Sequence, residues 1–147
     1  MNLFEPTAAQ QIVSRLQNVS AASPAQWGKM NAAQMMAHCR TGFQVYFGEM
    51  KLKRSLIGFM FGKMAKKKIL SDKPWSHNMP TAPQFKIASE KDFATEKEKL
   101  LADVNRFIKE GNTASITVHP FFGKMTAHEY GTLMGNHLNH HLKQFGV

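Results

Sequence analysis

A chain of 147 residues, 43% of them hydrophobic, buries on the order of 68–70% of the surface its unfolded form exposes, which excludes intrinsic disorder and collagen-like or coiled-coil composition and fits one domain over residues 1–147. Nineteen Lys+Arg against ten Asp+Glu give a net charge of +9, which raises nucleic acid or anionic lipid as partners, and seven His raise metal binding. The single Cys39 closes no intrachain disulfide, the first ten residues hold no basic stretch leading into an apolar run, and the longest apolar stretch, Leu56 to Gly62, falls far short of the ~20 residues that cross a bilayer. The expectation is a chain without secretory signal or membrane span, in a reducing, cytoplasmic setting.

Pro6 opens a first helix to Val19, with Ile12, Leu16 and Val19 at helical spacing; proline suits a first helical position because its missing donor would be unpaired there. Asn31-Ala-Ala-Gln34 has the form of a capping box. Behind it Met35, His38, Cys39, Gly42, Phe43, Tyr46 and Phe47 follow steps of three and four to about Gly48. From Lys51 to Ile69 apolar residues (Leu56, Ile57, Phe59, Met60, Phe61, Met64) mix with cations, which reads as a short extra helix with a basic tail. Gly58 and Gly62 have small-residue spacing, but outside a long apolar segment that motif predicts little. Pro74, Pro80 and Pro83 mark Ser71 to Ala88 as a long connection, a length that is usually functional or mobile.

Ser89-Glu-Lys-Asp92 resembles another capping box, and Phe93, Leu100, Leu101, Val104, Phe107 and Ile108 carry a helix to Gly111, a residue suited to a left-handed stop. Alternation over Ala114 to Val118 is too short to build a sheet. Thr126-Ala-His-Glu129 is a further box, followed by one stripe of Tyr130, Leu133, Met134, His137, Leu138, His141 and Phe145. Four principal helices, one short helix and one long crossover predict an all-α four-helix bundle, a common host for metal sites.

The last helix holds the sharpest functional signal. His137 and His141 are four apart, so their side chains stack one turn above each other, and the apolar stripe would be continuous if both were leucine. Both imidazoles are therefore expected to point inward. A buried imidazole without partners costs ~1–3 kcal/mol. A metal ion resolves that for two of them at once, since neutral imidazole is a common ligand for zinc, nickel, iron and copper. Core histidines bonded to helix backbones or to each other are the alternative, and spacing alone does not choose. Three protein ligands with an open position mark a catalytic site; His38 is the candidate third ligand, with Gly42 one turn on leaving room for an ion. His119, in the loop before the last helix, could reach the mouth of the site as a catalytic residue. His140 lies about 60° off the inner line, at its edge. His77 and His128 read as loop and surface residues, and Cys39, turned ~100° from His38, as a core residue. The acids Glu49, Asp92, Glu96, Glu98, Asp103 and Glu110 fall mostly on polar faces, so no general base separate from the metal is evident.

The segments Met35-Met-Ala-His38-Cys39, His119-Pro-Phe-Phe-Gly123-Lys-Met-Thr126 and His137-Leu-Asn-His-His141-Leu-Lys-Gln144-Phe145 resemble the DinB-like (YfiT-like) superfamily of metalloenzymes, in a branch known only as a domain of unknown function. The resemblance spans nearly the whole chain. It implies a four-helix bundle with a divalent metal (Zn, Ni, Mn or Fe) on His38, His137 and His141. It further implies a small-molecule substrate, a low-molecular-weight thiol activated for S-transfer, isomerisation or hydrolysis, and a homodimer. Two other readings compete. The basic segment Lys51 to Lys73, eight cations with Phe59, Phe61 and Trp75 interleaved, could contact nucleic acid or an anionic surface, although charge runs usually serve solubility and disfavour a nucleic-acid reading. The third reading is a bundle that has lost activity.

Overall fold

A computed structural model describes residues 1–53, 56–111 and 118–147, with the side chains of residues 56, 57 and 59 set apart. Among the described residues the chain is all-α apart from one hairpin of two two-residue strands. In order it forms α1 (Pro6–Asn18), α2 (Ala32–Tyr46), α3 (Leu56–Ile69), a 3-10 turn (Pro83–Phe85), α4 (Phe93–Glu110), β1 (Val118–His119), β2 (Gly123–Lys124) and α5 (Ala127–Gln144). Helices α1, α2, α4 and α5 make the four-membered bundle: α2 packs on α4 and α5, and α1 on α4 and α5, while α3 packs on β2 outside it. Arg54 and the stretch 114–117 lie outside the described residues; Val118, at the end of that stretch, pairs with Lys124 in an antiparallel register.

Local rules account for most helix starts. The Asn31 side chain accepts from the Gln34 amide at 2.8 Å while Gln34 accepts from the Asn31 amide at 3.1 Å, and Thr126 and Glu129 do the same for α5. These reciprocal bonds satisfy donors that a helix end otherwise leaves unpaired. At α4 the box expected on Ser89 does not form. Asp92 caps instead, accepting from Thr95 N at 2.8 Å, so the helix begins at Phe93; a carboxylate there also faces the positive end of the helix dipole. Gly111, at φ +54°, ends α4 in a backbone conformation that side chains disfavour.

Within the core an aromatic cluster joins α2, α4, α5 and the segment before α1. Phe107 stacks on Phe4 at 4.8 Å and meets Phe43 and Tyr46 edge-on at 5.5 and 4.5 Å, and Tyr46 meets Tyr130 at 5.0 Å. On α4 the buried stripe is Glu96, Leu100, Val104 and Phe107, so Glu96 is an exception among acids that were expected mostly on polar faces. Glu96 is buried because Arg40 of α2 reaches it at 3.0 Å and Asp103 at 3.2 Å; a buried carboxylate persists only when paired. The first residues are tied down: Leu3 N donates to Gly131 O at 3.1 Å and Asn2 Nδ2 to His128 O at 3.0 Å. Gly131 and Gly135 have no side chain in the path of Asn2 and Met1.

The Gly58 and Gly62 pair has a role that the spacing did not suggest. A Cβ on Gly58 would stand 2.8 Å from the Phe121 carbonyl oxygen, and one on Gly62 would collide with the same atom. Helix α3 thus rests its glycine face on the backbone of the β1–β2 turn. The connection from α3 to α4 crosses the end of the bundle where α2 and α5 close together, with the 3-10 turn directly over α2.

Candidate metal centre

His38 sits on the inner face of α2, facing the α5 pair. Its exposure is 7% and that of His141 is 8%; His137 is half-buried between them. The three ring centroids form a nearly equilateral triangle with sides of 5.1, 4.8 and 4.8 Å, and the ring planes are 77–79° apart. One ligand atom from each ring can be chosen so that all lie within 4.8 Å of one another, and Nε2 of His137 is 3.1 Å from Nε2 of His38. Two nitrogens bound at ~2.0–2.1 Å to a tetrahedral ion stand about 3.3–3.4 Å apart. The His38 and His137 nitrogens already stand near that spacing, and the donor set fits a divalent ion once the rings draw together.

The outer nitrogens of His38 and His141 are also accounted for. His38 Nδ1 lies 2.8 Å from the Phe85 carbonyl oxygen; a carbonyl only accepts, so Nδ1 carries the proton and Nε2 keeps its lone pair facing the triangle. His141 Nδ1 is 2.7 Å from Gln144 Oε1, and Gln144 Nε2 donates to Trp27 O at 2.6 Å. The Trp27 carbonyl orients the amide, the amide oxygen takes the Nδ1 proton, and Nε2 of His141 is left as the acceptor. Such partners fix tautomer and ring angle in metal sites. Gly28 lies against this amide: a Cβ there would be 2.6 Å from Gln144 Nε2, at φ +81°.

Burial holds all three imidazoles neutral. Loss of water lowers the pKa of His38 despite the bond to Phe85. It lowers His137 well below the ordinary value, with His141 and His38 adding to the effect, and it pushes His141 down to about 3. Neutral rings are the form that binds metal.

A cavity of about 570 Å³ opens over the triangle. Trp27, Trp75, Met30 and Met79 give it apolar walls, Lys29 and Lys86 lie at its edge, and no Asp or Glu lines it among the described residues. His77 stacks on Trp27 at 3.8 Å and 8°, and His140 stands 5.7 Å from both Trp27 and Trp75. His77, expected as a loop residue, lies in a loop and packs on Trp27 without lining the cavity. His140 lies on the cavity wall, in keeping with its edge position. His128 is exposed.

Two expectations at the site are corrected. The space beside Gly42 is taken by Met134, whose Sδ and Cε stand 3.3 and 3.4 Å from where a Cβ would be; glycine there lets α2 approach α5 rather than making room for an ion. His119 does not reach the cavity. Its Nδ1 accepts from Phe121 N at 3.1 Å and Phe122 N at 3.2 Å, and its ring lies 6.2 Å from Tyr130. Tyr130 is seven residues before His137, or ~10 Å along the helix. Burial pushes His119 down to about 4, so it is a neutral acceptor that organises the hairpin. Cys39 is fully buried against Met35, at 3.7 Å, and burial raises its thiol pKa, as expected of a core residue. Gln144 was visible only as a residue following the histidine pair; the Trp27 and Phe85 carbonyls had no sequence signal.

A family model described as a protein of unknown function, DUF1569, matches residues 4–146. No curated protein and no solved structure matches the chain.

Proposed function

The chain belongs to the DUF1569 family, and from that premise we propose that it is a one-domain metal-dependent enzyme of DinB-like (YfiT-like) type, with one divalent ion on His38, His137 and His141. The observation that carries this reading is the imidazole triangle with the outer nitrogens of His38 and His141 already engaged by Phe85 and Gln144. Those two bonds leave Nε2 of His38 and of His141 with the lone pairs that a metal ion requires. Zinc, nickel, manganese and iron all suit a nitrogen set. A divalent ion on three imidazoles with an open position lowers the pKa of a water or thiol toward neutrality.

The chain's own residues do the rest. Phe85 and Gln144 hold two rings in place before a ligand arrives, which avoids reorganisation later. Trp27 and Trp75 pack on an apolar part of the substrate and exclude water, while Lys29 and Lys86 attract negative groups to the entrance. With no carboxylate on the wall among the described residues, His140, 5.0 Å from His141, is the imidazole there outside the triangle, and burial lowers its pKa and keeps it in the neutral form that a base requires. Resemblance to the superfamily supports a low-molecular-weight thiol as the activated species, S-transfer, isomerisation or hydrolysis as the reaction, and a homodimer. The free, buried Cys39 supports a reducing, cytoplasmic location.

Elemental analysis of protein purified without a His tag tests the site. About one divalent ion per chain is expected, falling sharply in His137→Ala, with EDTA lowering the melting temperature of the wild type. Wild type that is metal-free as purified and is not stabilised by zinc, nickel, manganese or iron would overturn the reading.

A further inference from the structure

Helix α3 has one side pinned and one side in solvent. On the pinned side its glycines meet Phe121, and Lys66 donates to Lys124 O at 2.9 Å and pairs with Glu129 at 2.6 Å. At 100° per residue, the opposite side has Met60 and Met64 at its centre, Lys63 and Lys67 on one flank, and Phe61 and Lys68 on the other. Met60 is 72% exposed, Met64 70% and Phe61 48%. Among the described residues the one other large apolar side chain left this exposed is Val118, on the strand paired with the one α3 packs on. From Met50 to Ser71 the sequence has no Asp or Glu.

An apolar ridge flanked by cations needs a partner with both properties. A second copy of the same face would repel it through the lysines. A nucleic-acid backbone would neutralise the lysines but leave the methionines and Phe61 in water, since phosphate contacts are ionic. An anionic phospholipid surface offers phosphates at the level of the lysine heads and acyl chains just below, where an interfacial helix buries its apolar residues by ~5–10 Å. The long lysine stems can keep their charges at headgroup level while the methionines insert. At 14 residues α3 is ~21 Å long, and no helix among the described residues is long and apolar enough to cross a membrane. We propose that α3 is a membrane-surface docking element: Met60, Phe61 and Met64 insert into an anionic leaflet, and Lys63, Lys67 and Lys68 pair with its lipid phosphates.

Sedimentation of the full chain with phosphatidylcholine vesicles, with and without phosphatidylglycerol, tests this. Binding is expected to the anionic vesicles only and to weaken with salt. A lysine at an anionic surface is worth roughly fivefold in partitioning, so Lys63→Glu with Lys67→Glu should reduce binding by at least roughly 25-fold. Met60→Ser with Met64→Ser leaves the charge unchanged and should reduce binding more than tenfold. Because both methionines are exposed, the melting temperature should stay that of the wild type, which separates lost insertion from lost folding. The proposal is overturned by absence of sedimentation at low salt, or by binding that survives the double serine substitution. It is overturned equally by methionine-independent binding to random duplex DNA, which would make the face a nucleic-acid contact, or by self-association that the serine variant abolishes.

Discussion

Replacing Gln144 with leucine interrupts the contacts that aim His141. The side chain is 3% exposed and serves two partners, accepting from His141 Nδ1 at 2.7 Å and donating to the Trp27 carbonyl at 2.6 Å. Leucine fills most of the same volume, so the loss is polar. One buried N–H and one buried carbonyl lose their partners at about 1–3 kcal/mol each, or roughly 2–4 kcal/mol in total after the apolar gain of the leucine. For a 147-residue chain that corresponds to a fall in melting temperature of roughly 6–13 °C, measured in EDTA so that metal does not contribute. Zinc affinity, measured by competition with a chromophoric chelator, should fall about 10–100-fold as the ring loses its orientation. Gln144→Glu separates the two effects: it keeps an acceptor for His141 and loses the donor to Trp27, so stability should drop while zinc binding is kept or strengthened. A Gln144→Leu protein that binds zinc like the wild type would refute the positioning argument, and an unchanged melt in EDTA would refute the burial argument.

Gly62→Ala places a methyl group against the Phe121 carbonyl, and backbone cannot rotate away as a side chain can. A cost of about 1–3 kcal/mol and faster proteolytic cleavage near α3 are expected; a wild-type melt with wild-type cleavage would show that α3 does not rest on the hairpin. The His119 pKa of about 4 in the folded protein, against 6.5 for a free histidine, makes a pH prediction. Below pH 6.5 the unfolded chain binds a proton that the folded one refuses, so stability is complete above 6.5 and falls with pH toward 4, by ~1.4 kcal/mol per pH unit. His119→Asn keeps an acceptor for the turn amides and removes this titration, so denaturant melts of wild type and variant should diverge as pH falls from 6.5. Parallel curves would refute the assignment.

The helices were legible in the sequence because their causes are local. Asn31 with Gln34 and Thr126 with Glu129 satisfy amides three residues away, and stripes of three and four residues bury one face. His137 and His141 could be placed on the inner face of α5 by the same periodicity. The box expected on Ser89 failed because Asp92, directly before the packed stripe of α4, caps the helix itself. What joins the helices left no such trace. The Phe85 carbonyl comes to His38 across 47 residues, His38 to His137 across 99 and Trp27 to Gln144 across 117. Periodicity reports which face of a helix is inward, but the partner on that face is chosen by the docking of distant elements. Sequence alone therefore determined the all-α elements and two inward histidines. His38 was the sequence's candidate third ligand, but only the tertiary structure put it beside that pair, set Met134 and not an ion in the space beside Gly42, and gave His119 to the hairpin, because each of those outcomes depends on which elements pack against each other.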